Sequence, residues 1–368
     1  MRFELDAVYV EEEMRATALA RRVIAALPPG VPVYHVPDGR IAARADRGAA
    51  DPFAAGKRRM VIMRRRSRFL TGCPAASNEF ACCGYLVMEL ASNCPMDCGY
   101  CFLQEFVADN PGFQVYANYA DAFAELDRVQ AAADRPLRIG TGELADSLAF
   151  DSLTGMSRDL VRYFAGRAGL TLELKTKTDE IENLLDLDSR GRTLVSWTLS
   201  PERVFRSSEH RTASPSARIA AARRVLEAGY RVGFHLDPII ACDGADRDYS
   251  ALLDELFATV PAARIEFISL GGLRMTPGLR AAARRRFPRD PMLLGEEVLA
   301  PDGRYRAFAP LRMRLYEAIN RRIAREKPGV RVYLCMESAA TYRRVLGAAP
   351  PAPAALGARL ADGNRRDG

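Results

Sequence analysis

The clearest chemical signal in the sequence is a set of three cysteines, Cys94, Cys98 and Cys101, with the spacing C-x3-C-x2-C. They follow an apolar run, residues 85–90, that is typical of a strand. Three thiolates on one short loop can bind three irons of a [4Fe–4S] cluster and leave the fourth iron without a protein ligand. The alternatives are a zinc site, for which a second cysteine pair is missing, or three buried structural cysteines. The spacing favours the iron–sulfur cluster.

From Gly84 onward, apolar runs alternate with helix-forming stretches, which predicts parallel βα units. Six such strands predict an α/β fold with a partial (β/α)6 barrel, because each strand is followed by a helical crossover. The predicted strands are 85–90, 137–140, 170–176, 193–199, 230–236 and 264–270. The predicted helices lie near 118–133, 155–166, 179–186, 214–228 and 248–258.

Polar residues stand where several of these strands end. The second strand is followed by Gly142 and Glu143, the third ends near Lys177, and the fourth ends in Thr198 and Ser200. In parallel α/β proteins the active site lies at the carboxyl ends of the strands. We therefore expect these residues to surround a zwitterionic ligand that carries a ribose.

The rest of the chain divides by composition. Residues 1–83 are predicted to form a small α/β lead-in with a basic strand, and residues 84–273 the barrel. Residues 274–347 are predicted to form a C-terminal extension with a hairpin, a helix and a strand. The Ala/Pro/Gly-rich residues 348–368 are predicted to be a disordered tail.

Composition narrows the class of protein. The 368 residues are 48% hydrophobic, which is enough for a substantial core. The net charge of +7 is only a weak indication of a polyanionic partner. No signal-peptide pattern and no 18-residue apolar stretch occur in the sequence. The eight cysteines fit a reducing compartment better than a disulfide framework. We expect a cytoplasmic protein with no membrane partner and leave its oligomeric state open.

The cysteine loop, with Tyr100 before its third cysteine, resembles the signature of the radical S-adenosylmethionine (SAM) enzymes. Within that superfamily the chain is most similar to the spore photoproduct lyase family over residues 3–347. The segments that carry the resemblance are 5–11, 94–104, 172–185 and 228–238. The resemblance implies a partial radical SAM barrel with a [4Fe–4S] cluster and SAM as cofactors. It also implies a low-potential electron donor of the flavodoxin or ferredoxin type.

The resemblance further implies roles for individual residues. It makes Cys94, Cys98 and Cys101 cluster ligands and places Tyr100 against the adenosyl group, where Tyr100 is also a catalytic candidate. Other SAM contacts are implied for Gly142 and Glu143 (amino group), Lys177 (carboxylate), and Thr198 or Ser200 (ribose or methionine part). The alternatives are a strand-end surface lysine at 177, a surface carboxylate at 143, and ordinary strand or turn residues at 198 and 200.

The sequence departs from the lyase pattern at two positions. The family's hydrogen-donating cysteine after the second strand is missing, since residues 140–151 contain no cysteine, and Phe102 stands where a second tyrosine is expected. Cys242 and Cys335 are candidate replacements, although a free cysteine is more often a small, buried and inert apolar residue.

The predicted turn Asp302-Gly303 precedes Arg304 and Tyr305, which resemble a DNA-contacting hairpin of the lyase; the alternative is an ordinary surface turn. The leading hypothesis is a radical SAM enzyme that acts on a thymine lesion in DNA. The second is a radical SAM enzyme with a non-DNA substrate, because the donor cysteine is absent. The third is a nucleic-acid-binding protein whose metal loop is only structural.

Overall fold

The structure, a computed structural model, describes residues 3–74, 80–326 and 329–362. The strands are β1 (Ala7–Glu11), β2 (Val33–Val36), β3 (Arg59–Met63), β4 (Leu70–Gly72), β5 (Leu86–Met88), β6 (Ala91–Ser92), β7 (Asp97–Cys98), β8 (Phe113–Tyr116), β9 (Leu137–Gly140), β10 (Leu170–Thr176), β11 (Thr193–Thr198), β12 (Glu209–His210), β13 (Arg231–Ile239), β14 (Ile265–Gly272), β15 (Arg274–Met275), β16 (Glu297–Leu299), β17 (Tyr305–Ala307) and β18 (Val332–Leu334). The helices are α1 (Ala18–Ala26), α2 (Gly39–Ala43), α3 (Pro52–Gly56), α4 (Leu103–Phe106), α5 (Ala120–Ala131), α6 (Asp151–Thr154), α7 (Met156–Ala165), α8 (Glu202–Ser208), α9 (Pro215–Glu227), α10 (Ala245–Thr259), α11 (Pro277–Arg286), α12 (Ala309–Glu326), α13 (Ala339–Leu346) and α14 (Pro353–Asp362). None of these described helices has both the length and the apolar composition to cross a lipid bilayer.

The larger sheet is a curled half-barrel with the strand order β18-β14-β13-β11-β10-β9-β5-β4. Neighbours from β5 to β18 in this order pair in parallel, and β4 joins β5 antiparallel at the edge. The strand β11 is buried along its whole length, as expected for a parallel strand covered on both faces. All six predicted strands are present, so the partial barrel is confirmed. The strand β18 adds a further parallel strand from the C-terminal extension.

The second sheet has the order β2-β1-β3-β8-β6, and its strands β1, β2 and β3 belong to the predicted lead-in. Its strands β6 and β8 come from residues after position 83, on either side of the cysteine loop. Val10 and Ile62 of this sheet belong to the same apolar core as Leu172 and Val195 of the barrel. The predicted domain boundaries at 83/84 and 273/274 remain a prediction. The strands β6 and β8 follow the first boundary but join the sheet of the lead-in, and β18 follows the second but joins the sheet of the barrel.

One predicted helix is wrong. Residues 179–186 contain only a single 3-10 turn, Glu182–Leu184. The segment is held by its neighbours instead, because Trp197 Nε1 donates to the carbonyl of Thr178 at 3.0 Å and Asn183 Nδ2 donates to the carbonyl of Asp151 at 2.8 Å. These tertiary hydrogen bonds override the local helix propensity.

The prediction of a disordered tail is also wrong for Pro353–Asp362, which forms α14. Leu356 and Leu360 are buried in an apolar cluster with Phe267 and Tyr333. Residues 363–368 lie outside the described part of the chain. The two leucines recur at i and i+4, so one face of a short helix supplies enough apolar area to dock on the barrel.

Candidate active site

A cavity of about 420 Å³ lies at the carboxyl ends of the barrel strands, a volume typical of small-molecule sites. Most of the predicted site residues line it, and they come from the cysteine loop, from the ends of β9 to β11 and from the β16–β17 hairpin. These residues are Cys94, Cys98, Tyr100, Cys101, Gly142, Glu143, Lys177, Thr198 and Arg304. The fold thus gathers residues that are more than 200 positions apart in the sequence.

The cysteine loop is tied down at its start by a buried lysine. Lys57 Nζ donates to the carbonyl of Cys94 at 2.8 Å and to the carbonyl of Met96 at 2.5 Å. Asn93 has a left-handed backbone, φ 71°, and its side-chain oxygen accepts from the amide of Cys94 at 2.7 Å. Asparagine tolerates this conformation better than most residues. Together these contacts fix the backbone of Cys94 at both its amide and its carbonyl group.

The end of the loop is held by a side-chain amide and a guanidinium. Gln104 Nε2 donates to the carbonyls of Gly99 and Cys101 at 2.8 and 3.2 Å. Arg286 donates to Gln104 Oε1 at 2.8 Å and to both carboxylate oxygens of Asp97 at 2.9 and 3.0 Å. The bonds to Asp97 are charge-assisted and both come from one guanidinium nitrogen, Nη2. These protein contacts organise the loop backbone.

The three cysteines share the wall of the cavity, with Cys98 buried. Burial raises the pKa of Cys98 to about 12 and also raises the pKa of Cys94. Both are therefore neutral thiols at neutral pH until a metal ion displaces their protons. Within the described residues, no three Cys, His, Asp or Glu side chains close around a point as metal ligands. Three cysteines on one organised loop beside an open cavity fit a cluster with one free iron better than a closed structural zinc site.

A lysine and a glutamate face the cavity as an ion pair. Lys175 Nζ lies 2.9 Å from Glu143 Oε1, and both line the cavity beside Gly142. Gly142 packs closely under β10, since a Cβ there would lie 2.6 Å from the Cβ of Lys175. The predicted amino-group acceptor Glu143 is thus oriented by Lys175, and the turn at Gly142 leaves no space for a side chain.

Lys177 and Tyr100 are joined through a buried glutamate that lies outside the cavity lining. Lys177 Nζ is 2.9 Å from Glu209 Oε1, and Tyr100 donates its hydroxyl proton to the same oxygen. The Lys177 ammonium also contacts the Tyr100 hydroxyl and lies 4.7 Å from the ring centroid. Burial alone would raise the pKa of Glu209, but Arg218 and Lys177 lower it below its ordinary value, so Glu209 is ionised.

Four predicted site residues lie outside the cavity lining. Ser200 is fully buried and donates to Glu209 Oε1 at 2.7 Å. Tyr305 is covered by the guanidinium of Arg280, 4.5 Å from its ring centroid. Cys242 accepts a hydrogen bond from Arg203 at 3.2 Å, at a half-buried position. The roles predicted for these residues remain predictions.

The fourth, Cys335, is closer to the cavity. Its sulfur accepts from Arg274 Nη2 at 3.6 Å, and Arg274 itself lines the cavity in a bidentate pair with Asp237, both distances 3.0 Å. Burial raises the pKa of the Cys335 thiol, so it is neutral at neutral pH. Cys335 is thus in contact with a side chain that lines the cavity.

The basic run before the loop does not form a free phosphate-binding strip. Arg58 pairs with Asp6 and Glu4 at 2.6 and 2.7 Å, and Arg66 pairs with Glu11 at 2.9 Å. Lys57, as described, holds the cysteine loop. Arg58 and Arg66, which flank the predicted basic strand, are thus paired with acidic residues of the N-terminal segment.

Comparison with known proteins identifies the family. The family model for spore photoproduct lyase matches residues 3–306. The chain belongs to the spore photoproduct lyase family. Curated spore photoproduct lyases from Geobacillus sp. (strain Y412MC61) and Bacillus subtilis (strain 168) are 29% and 26% identical to it. The alignments cover 64% and 65% of this chain and 68% of each relative.

Solved spore photoproduct lyase structures share the fold of this family member. A cysteine-to-alanine mutant, and a lyase complexed with dinucleoside spore photoproduct, each superimpose with a TM-score of 0.80 at 22% identity. Each match covers 91% of this chain and all of the solved chain. The predicted class, a radical SAM enzyme of the spore photoproduct lyase family, is confirmed. A non-enzymatic protein with a merely structural metal loop is not supported.

The sequence analysis missed several residues of the site. Lys175 lies on β10 two positions before Lys177, which follows the end of that strand, so the strand period of two was an available signal that both point to one side. Glu209, Lys57 and Arg274 carry no motif, because each acts through contacts with distant segments. Only their positions in the folded chain identify them.

Proposed function

We propose that this lyase-family enzyme reductively cleaves SAM at a [4Fe–4S] cluster held by Cys94, Cys98 and Cys101, and that the resulting 5′-deoxyadenosyl radical abstracts hydrogen from a thymine lesion in DNA. A low-potential protein of the flavodoxin or ferredoxin type would supply the electron. The observation that carries the proposal is the placement of three cysteines, a carboxylate and an ammonium in one cavity of a spore photoproduct lyase family member.

The cavity residues bind the amino and carboxylate groups of the methionine part of SAM. Glu143 accepts hydrogen bonds from the amino group, and Lys177 donates to the carboxylate, which are both charge-assisted contacts. Thr198 contacts the ribose, and Tyr100 lies against the adenosyl group. These roles are supported by the opposite charges of Glu143 and Lys177 within the same cavity lining.

Two observations support a DNA lesion as substrate. Related lyases have been solved with a dinucleoside spore photoproduct. In this chain the predicted β16–β17 hairpin forms, and its Arg304 lines the cavity, 3.1 Å from Asp302 Oδ2. A cation on a hairpin beside the cavity is suited to a phosphate of an extruded nucleotide.

A second candidate function is radical chemistry on a substrate other than DNA. It is favoured by the cavity lining, which among the described residues contains no cysteine besides the three predicted ligands. The carboxylate Glu143 and the ring of Phe102 cannot donate a hydrogen atom as a thiol or a phenol does. Cys335, whose sulfur contacts the cavity-lining Arg274, is our candidate for the replacement donor.

The test is anaerobic reconstitution of the wild type, Cys98→Ala and the control Cys73→Ala, followed by addition of SAM and a low-potential reductant. We expect 5′-deoxyadenosine from the wild type and from Cys73→Ala, and none from Cys98→Ala. Absence of the product from wild type that carries its cluster would refute the proposal.

DNA binding distinguishes the two candidate substrates. A higher affinity for lesion-bearing duplex than for undamaged duplex, with an affinity that falls as salt rises, supports the DNA substrate. Equal affinity for the two duplexes supports the second candidate.

A further inference from the structure

A buried carboxylate links the cysteine loop to the cavity. Glu209 lies on β12, which pairs antiparallel with β7, and its register partner there is Cys98. The amide of Gly99 donates to the carbonyl of Ser208 at 2.7 Å, which extends the pairing by one bond. The Glu209 side chain is completely buried. The glutamate is therefore attached through its backbone to the strand that bears a predicted cluster ligand.

Four donors converge on this one carboxylate. Lys177, Tyr100 and Ser200 all donate to Oε1, the lysine at 2.9 Å and the serine at 2.7 Å. Arg218 donates to Oε2. A carboxylate with this many partners holds each of them in one geometry, because moving any donor leaves a buried polar group unsatisfied.

The charges in this cluster are not equivalent. Arg218 is fully buried. It also donates hydrogen bonds to the carbonyls of Ala213 and Thr198, both at 2.9 Å, and to Thr212 Oγ1 at 2.7 Å. Lys177 lines the cavity, whereas Glu209 and Arg218 do not. Glu209 and Arg218 balance each other, so the single net positive charge is presented to the cavity by Lys177. An ammonium has three donors, and two of those of Lys177 are already occupied by Glu209 and Tyr100.

We infer that Glu209 is a positioning residue for SAM: it holds Lys177 so that the remaining lysine donor meets the SAM carboxylate. This inference rests on the proposed function, since it assumes that SAM occupies the cavity. The competing explanation is that Glu209 only neutralises the buried Arg218. The two explanations differ because positioning depends on where the carboxylate lies, whereas neutralisation depends only on its charge.

The experiment uses Glu209→Asp, which keeps the charge but draws the carboxylate back by one carbon–carbon bond. The matched control is Glu337→Asp, because Glu337 is also fully buried and is held by Arg312 at 2.7 Å and Tyr316 at 2.9 Å, outside the cavity lining. Equilibrium binding of SAM and of decarboxylated SAM is measured on the reconstituted proteins. We expect Glu209→Asp to weaken SAM binding about tenfold, as for one lost charge-assisted hydrogen bond. Its affinity for decarboxylated SAM, and both affinities of the control, should change less than about threefold.

A double-mutant cycle completes the test. In a Lys177→Met background, Glu209→Asp should have no further effect on SAM affinity, because the residue acts through that lysine. Unchanged or tighter SAM binding by Glu209→Asp, or an equal loss for decarboxylated SAM, would overturn the inference. If Glu209→Asp does not fold, Ser200→Ala is the second variant, because it removes one donor from the same Glu209 oxygen. It is expected to weaken the binding of SAM two- to tenfold and to leave the binding of decarboxylated SAM unchanged. Wild type that binds no SAM would instead refute the proposed function.

Discussion

Replacing Lys57 by methionine tests whether the cysteine loop is organised by protein contacts. The Lys57 side chain is completely buried, and its two hydrogen bonds go to the carbonyls of Cys94 and Met96. A hydrogen bond from a charged donor contributes about 1.5–3 kcal/mol, so the two together contribute about 3–6 kcal/mol. Removing the buried ammonium also removes its desolvation cost, which offsets part of this loss. We expect a net destabilisation of about 2–4 kcal/mol.

The assay is urea unfolding of the metal-free protein with linear extrapolation, followed by iron and sulfide analysis after identical anaerobic reconstitution. The control is Arg58→Met at the next position, where the guanidinium is exposed and pairs with Asp6 and Glu4. Exposed pairs are worth about 0–1 kcal/mol, so the control should be nearly as stable as wild type and take up the same iron. Equal stability and equal iron content in the two variants would refute the reasoning.

Three further outcomes follow from the packing and the charges. Leu360→Ala should cost about 2–4 kcal/mol because the side chain is buried against the barrel, whereas Leu294→Ala, at an exposed leucine, should cost less than about 1 kcal/mol. Gly140→Ala should destabilise by about 1–3 kcal/mol or more, because the new methyl group would occupy the place of the buried Tyr85 hydroxyl. Burial lowers the pKa of His235 in the folded chain. As the pH falls below about 6.5, the imidazole therefore becomes protonated in the unfolded chain before it does in the folded one. Wild type should therefore lose up to about 1.4 kcal/mol per pH unit as the pH falls below about 6.5, and His235→Gln should remove this part of the loss.

Urea unfolding measures all three. Gly72→Ala is the control for Gly140→Ala, since no atom lies within 4 Å of a Cβ at Gly72. Equal costs at the two glycines, or at the two leucines, would contradict the packing argument. For His235, whose ring nitrogens contact Ser269 and Glu173, parallel stability–pH curves for wild type and variant would show that the proton is not linked to folding.

Local patterns in the sequence determined much of this protein. The cysteine spacing identified the loop that lines the cavity, and the six apolar runs located the barrel strands to within a few residues. Parallel strands have aligned carboxyl ends, so Glu143, Lys177 and Thr198 could be assigned to one site before any coordinates were known. These inferences succeed because spacing and periodicity are properties of short segments.

Only the tertiary structure decided which distant residues organise that site. Glu209 lies 109 positions from its partner Tyr100, and Lys57 lies 37 positions from Cys94. The order of α14 depends likewise on its docking against Phe267 and Tyr333 of the barrel. A buried ion or a docked helix is stabilised by the groups that surround it, not by its own neighbours in the chain. Sequence periodicity therefore does not predict these contacts, which form between distant segments only in the folded chain.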